Sequence, residues 1–239
     1  MTANQPPRPA NMRNIVAINQ GLRPLTLEEP ICATLSPEKA RALQRQDNQV
    51  LDTRSPEAFG GGHIAGALNI QLTSSEFEQR VGWLLPDEGG VVLVAESRDA
   101  AQQAIRKLAF VGLDQRVLGQ VEWSAWTAAG LPTASLAQMT VEELNTALER
   151  GELQVLDVRE NSEWREGHVA SALHMNFKHL PQKFGDLPLG RADRVAVVCA
   201  TGMRSSTACS FLLEKGFQNL HNVTGGMTSW KRAGYPVTL

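Results

Sequence analysis

Short apolar runs that end in charge punctuate this chain, and stretches with helical apolar spacing separate them. Val50-Leu51 leads into Asp52-Thr53-Arg54, and Val155-Leu156 leads into Asp157-Val158-Arg159. Val91–Val94 and Val195–Val198 are apolar throughout, the pattern of short buried strands. Ser36-Pro37-Glu38 offers an N-cap followed by proline at the first helical position, which predicts a helix through Leu43. Thr140-Val141-Glu142-Glu143 has capping-box spacing and predicts a second helix through Leu148. Ala208, Phe211, Leu212 and Lys215 fall on one helical face, with Gly216 placed as a C-cap. Residues 1–35 break the pattern. Pro6, Pro7, Pro9, Pro24 and Pro30 interrupt them, and they read as an extended arm or linker. Within this arm Ile15-Val16-Ala17-Ile18 is expected to form a short strand or to dock on the body.

The pattern occurs twice. Val50-Leu51-Asp52 and Arg54, Gly62-His63 and Ala67-Leu68 return at an offset of 105 as Val155-Leu156-Asp157 and Arg159, Gly167-His168 and Ala172-Leu173. After one deleted residue the offset becomes 104: Val91–Val94 matches Val195–Val198, Gly112 matches Gly216, Trp126 matches Trp230, and Gly130-Leu131-Pro132 matches Gly234-Tyr235-Pro236. Two domains follow, 36–134 and 135–239, with the boundary between Leu131 and Met139. Strands alternating with amphipathic helices predict an α/β fold with a mainly parallel sheet in each. Such sheets bind ligands beyond the carboxyl ends of their strands.

Cys199-Ala200-Thr201-Gly202-Met203-Arg204-Ser205 lies at such an end, between an apolar strand and a helix. A loop of this kind turns backbone N–H groups inward as an anion cradle, and the helix adds the positive end of its dipole. A thiol in that field loses its proton readily, and the thiolate is the nucleophile. Cys199 is therefore the candidate catalytic residue and the loop its cradle. Arg204 is expected to orient an anionic group, and Ser205 to cap the helix and reach the sulfur. Asp157 and Arg159, with Glu163, read as an ion-pair network at the strand end rather than as acid–base groups, since the first copy repeats them as Asp52, Arg54 and Glu57 or a neighbour. Gly225-Gly226 permits close backbone approach. In the first copy Ala95 stands for Cys199, Arg98 for Gly202, Ala100 for Arg204, and Val121-Glu122 for the glycine pair. That copy has lost the chemistry and serves packing, partner contact or folding. Cys209 and Cys32 read as core-like residues. His63 and His168, present in both copies, read as structural, and Trp126 and Trp230 as core anchors.

Composition narrows the field. The 239 residues carry a net charge of −2, so no nucleic-acid surface is indicated. No apolar run approaches the roughly 20 residues of a membrane helix, and the polar N-terminus is no secretory signal. Three cysteines far apart argue against a disulfide framework and for a reducing cytoplasm. His174, His179 and His221 have no ligand-like spacing, so no metal is expected.

Asp157-Val158-Arg159, Glu163-Trp164, Gly167-His168-Val169, the Cys199–Ser205 loop and Gly225-Gly226 with Trp230 together resemble a rhodanese (sulfurtransferase) domain. Asp52–Glu57, Phe59 and Gly62–Ala67 show the same order in the first copy. The resemblance covers about residues 36–239 and implies two rhodanese-like domains, the first inactive. It implies no cofactor beyond a persulfide carried on Cys199. Sulfur would pass from thiosulfate or a low-molecular-weight persulfide to a thiophilic acceptor. Pro6–Met12 with Asn19-Gln20-Gly21 resembles the closing segment of metallo-β-lactamase-fold persulfide dioxygenases, which implies such a domain or protein as a partner. Two alternatives stand beside catalysis. One is a docking or sulfur-relay module. The other is a rhodanese-related phosphatase, whose loop resembles Cys-x5-Arg, one residue longer than the Cys199–Arg204 spacing here.

Overall fold

Ser36 accepts a hydrogen bond from the Lys39 amide at 3.2 Å, and Pro37 opens the helix it caps. Thr140 and Glu143 close the predicted capping box, at 3.2 and 2.8 Å. Local signals of this kind place most elements of the computed structural model, which describes residues 9, 11–22, 29–86 and 88–239. In chain order these are α1 (Met12–Asn19), α2 (Pro37–Gln44), β1 (Gln49–Asp52), α3 (Pro56–Gly61), β2 (His63–Ile64), β3 (Leu68–Asn69), α4 (Phe77–Leu84), β4 (Val91–Val94), α5 (Arg98–Ala109), β5 (Val117–Gln120), α6 (Trp123–Ala128) and β6 (Thr133–Ala134). There follow β7 (Ala137–Met139), α7 (Val141–Glu149), β8 (Gln154–Asp157), α8 (Asn161–Arg165), β9 (Leu173–His174), α9 (Leu180–Lys183), β10 (Arg194–Val198), α10 (Met203–Glu214), β11 (Asn219–Val223) and α11 (Gly226–Arg232).

By its contacts the chain divides into two units, Met1–Arg54 with His63–Ala134, and Ser55–Gly62 with Ser135–Leu239. In the first, parallel strands run in the order β3-β1-β4-β5, and β2 pairs antiparallel with β6. In the second, parallel strands run β7-β11-β10-β8-β9, so β10 is central. Both are α/β sheets of the expected kind. The apolar strands β4 and β10 are buried along their apolar lengths because helices cover both faces of a parallel sheet. Trp126 and Trp230 are core anchors, each donating its indole N–H to a proline carbonyl six residues on, Pro132 at 3.1 Å and Pro236 at 3.0 Å.

The arm differs from expectation. Residues 15–18 are not a strand but lie in α1, because Met12, Ile15 and Val16 recur at i, i+3, i+4. The helix docks through Ile18 and Asn14, which lie against Gly112. Residues 33–35 are part of the sheet rather than a linker: Leu35 N–H donates to the Gln120 carbonyl and Gln120 N–H to that of Ala33, both at 2.7 Å. The dioxygenase-like Pro6–Met12 motif falls largely outside the described residues. Among those residues no helix is long and apolar enough to cross a membrane.

Candidate active site around Cys199

Cys199 is the first residue beyond the central strand β10, and four residues, 199–202, separate that strand from α10. Gly202 makes the turn. It is the N-cap with φ +101°, a left-handed conformation that side chains rarely adopt. Its amide then points back into the loop and donates to Cys199 Sγ at 3.1 Å. The N–H groups of Met203, Arg204 and Ser205 begin the helix and have no intrahelical acceptor. The sulfur thus faces the positive end of a helix of 12 residues.

A second helix start holds the loop from behind. Gly225 (φ +74°) and Gly226 (φ +51°) open α11. From there Met227 N–H donates to the Cys199 carbonyl at 2.8 Å and Thr228 N–H to that of Ala200 at 3.0 Å. A Cβ on Gly226 would collide with those same two carbonyls, so only glycine lets α11 come this close. This tight seat has a consequence the loop sequence did not announce: Cys199 is only 1 % exposed, a buried floor rather than an open cradle.

Two further expectations change. Ser205 is not the cap. The helix starts at Met203, so Ser205 sits in its first turn, buried, with Oγ 3.4 Å from Cys199 Sγ and 2.6 Å from Asn222 Oδ1. Arg204 is not left to an anion, because its two terminal nitrogens donate to both Glu163 oxygens at 2.6 and 2.7 Å. Burial by itself would raise the Glu163 carboxyl. The Arg204 hydrogen bonds, the Glu160 amide and the charges of Arg204 and Arg159 outweigh it and hold the group below its ordinary value of 4.5. A carboxylate depressed in this way stabilises the fold above that value, and the stabilisation is lost as pH falls through the folded-state value. Thermal melts should therefore show a smaller loss of stability on acidification below pH 4.5 for Glu163→Gln than for the parent chain. Equal acid sensitivity would contradict the assignment.

Asp157 and Arg159 behave as the expected ion pair. Arg159 grips both Asp157 oxygens at 2.6 to 3.0 Å and donates to the carbonyls of Glu163 and Gly167. Asp52 and Arg54 repeat the grip, closest at 2.6 Å, in the unit whose loop has Ala95 in place of the cysteine. His168 stacks on Trp164 with centroids 3.5 Å apart. Cys209 is fully buried and its thiol is pushed up by desolvation and by the neighbouring Cys199. Burial pushes the Cys32 thiol up to about 11. A hollow of about 490 Å³ in the second unit is lined by Met139, Glu143, Arg194 and His221 among others, and Cys199 takes no part in it.

The residues missed from sequence are Asn222 and Gln138, which stand behind Ser205. Asn222 Nδ2 donates to Gln138 Oε1 at 2.9 Å. Sequence carried little signal, since Leu220-His221-Asn222-Val223 mixes polar and apolar residues, yet Asn222 is fully buried.

The first unit shows what the loop looks like without its chemistry. Three residues, 95–97, link β4 to α5, and Ser97 caps the helix by accepting from Ala100 N–H at 3.1 Å. Arg98 pairs at the surface with Glu122 at 3.0 Å, a contact worth about 0–1 kcal/mol. Strand register also corrects the alignment near the glycines. Gln120 sits opposite Leu93 as Asn222 sits opposite Val197. From there to Trp126 is six residues, against eight to Trp230. Gly225-Gly226 fall in the longer connection, which carries the chain across the Cys199 loop.

A family profile described as a rhodanese-like domain matches residues 36–129 and again 140–233. The chain belongs to the rhodanese-like domain family. Its two rhodanese-like domains are similar to single-domain relatives. The thiosulfate sulfurtransferase GlpE of Shewanella oneidensis is 28 % identical over 42 % of this chain and 97 % of its own length. A sulfurtransferase of Allochromatium vinosum is 30 % identical over 35 % of this chain and 76 % of its own. The crystal structure of a rhodanese-related protein from Thermoplasma volcanium is 35 % identical, covering 43 % of this chain and 98 % of its own with a TM-score of 0.40. Two of these relatives are named as sulfurtransferases.

Proposed function

We propose that this protein transfers sulfane sulfur through a persulfide on Cys199. The observation that carries the reading is the Gly202 amide aimed at Cys199 Sγ from the start of α10. In the first half-reaction the Cys199 thiolate attacks the outer sulfur of thiosulfate. A new S–S bond forms as the old one breaks, leaving the persulfide anion on the enzyme and releasing sulfite. In the second, a thiophilic acceptor such as a thiolate attacks the outer sulfur, takes it away and returns the Cys199 thiolate. A low-molecular-weight persulfide serves as donor by the same exchange. Backbone N–H groups suit both anionic states, and covalent storage gives ping-pong kinetics. The burial of Cys199 favours small, narrow donors over bulky ones. No cofactor is needed, because the persulfide is the carrier, and a reducing compartment such as the cytoplasm keeps the thiol available.

Two details speak against a phosphatase: four residues rather than five separate Cys199 from Arg204, and Arg204 is engaged by Glu163. The test is to treat the protein separately with thiosulfate and glutathione persulfide. Intact mass spectrometry should find one added sulfur on Cys199, and turnover to a thiol acceptor should follow. Aryl-phosphate hydrolysis without sulfur loading would reverse the reading. Binding of a persulfide dioxygenase without turnover would instead favour a docking or relay module.

A further inference from the structure

Ser205 has one hydroxyl proton and two acceptors in reach, Asn222 Oδ1 at 2.6 Å and Cys199 Sγ at 3.4 Å. Which one receives it is decided farther away. The Leu136 carbonyl can only accept, and it takes Gln138 Nε2–H at 3.0 Å. Gln138 therefore turns its Oε1 to Asn222, whose Nδ2 donates to it at 2.9 Å. Asn222 is left with Oδ1 facing Ser205. The strands hold this order, because Asn222 and Gln138 are register partners on β11 and β7.

We propose that Asn222, fixed by Gln138, is a positioning residue that directs the Ser205 proton away from Cys199. While Sγ is a thiol or carries the outer sulfur, it has no full charge, and Ser205 Oγ–H goes on donating to Asn222 Oδ1. When Sγ becomes a thiolate, before attack on the donor and again as it leaves on discharge, the proton can serve the sulfur only by abandoning a buried amide oxygen. Ser205 Oγ–H thus becomes a donor held in reserve, opposed by Asn222. The first unit supports pairing the hydroxyl with the thiol. There the strand-to-strand link persists, as Gln120 Nε2–H donating to Thr34 Oγ1 at 3.1 Å. Yet alanine replaces both partners at the sulfur end, Ala95 for Cys199 and Ala101 for Ser205.

The proposal rests on the sulfurtransferase reading, but its test does not require turnover. The rate of Cys199 alkylation by iodoacetamide is followed against pH, with the modified peptide identified by mass spectrometry so that Cys32 and Cys209 do not contribute. Asn222→Leu releases the Ser205 proton to the sulfur and should move the profile about one pH unit lower. Gln138→Ala unpins the Asn222 amide from a half-buried position and should move it the same way. Ser205→Ala should move it higher, and adding Asn222→Leu to Ser205→Ala should move it no further. A role in packing alone would lower the melting temperature and leave the midpoint in place. Unmoved midpoints in both Asn222→Leu and Gln138→Ala would overturn the proposal, as would an Asn222→Leu shift that survives in the Ser205→Ala background. Loss of sulfur loading with these shifts intact would instead count against the sulfurtransferase reading.

Discussion

Replacing Cys199 with serine should leave the fold standing and remove sulfur transfer. Serine is close in size, and the groups around Sγ suit an oxygen: the Gly202 amide at 3.1 Å donates to it, and the Ser205 hydroxyl lies near. Stability should change by no more than about 1 kcal/mol. Activity should fall by about three orders of magnitude or more, because an alcohol is a poor nucleophile toward sulfur at neutral pH and cannot store it. Intact mass after thiosulfate treatment should show no added sulfur. Any docking to a partner should survive, which separates a catalytic thiol from a binding surface. A Cys199→Ser protein that still turned over would move the chemistry to another thiol. Cys209 and Cys32 are poor substitutes, since burial keeps both protonated.

The second large effect is expected from Gly226→Ala. The added methyl would meet the carbonyls of Cys199 and Ala200, which are backbone atoms and cannot rotate aside. Either α11 moves away or the loop does. In both cases the bonds from Met227 and Thr228 to those carbonyls lengthen, and the loop loses its floor. The positive φ of +51° adds strain for any side chain. A loss of roughly 2–4 kcal/mol follows by denaturant titration. Sulfur transfer should fall at least tenfold at temperatures where the variant is still folded, because the Gly202 amide no longer meets the sulfur. Gly216→Ala is the control. Gly216 also has positive φ, +89°, but an added Cβ meets nothing within 4 Å, so it should lose stability and keep activity. Equal activity losses in the two variants would show that the close approach of α11 does not matter to the chemistry.

The Glu163–Arg204 pair shows how far local sequence carries a functional assignment. Spacing put Arg204 in the loop, and a cation there suggests an anion. No local rule reports that a carboxylate 41 positions earlier takes both of its terminal nitrogens. Ser205 makes the same point. Its type suits an N-cap, but Gly202 begins the helix three residues sooner and turns the hydroxyl inward. At residues 15–18 the docking alternative holds and the strand does not, for a different reason. Four apolar residues are too few to separate strand from helix, and Met12, on the same helical face as Ile15 and Val16, settles it in favour of α1.

What the chain determines by itself is whatever depends on near neighbours and on repetition: the caps of α2 and α7, the buried runs of β4 and β10, the doubling of the fold, and a cysteine between strand and helix in one copy only. Tertiary structure decided how deep that cysteine lies, which group claims Arg204, and which way the Ser205 hydroxyl points. These depend on strand register and on α11 crossing behind the loop. Both set distances between residues far apart in sequence, where periodicity and spacing carry no information.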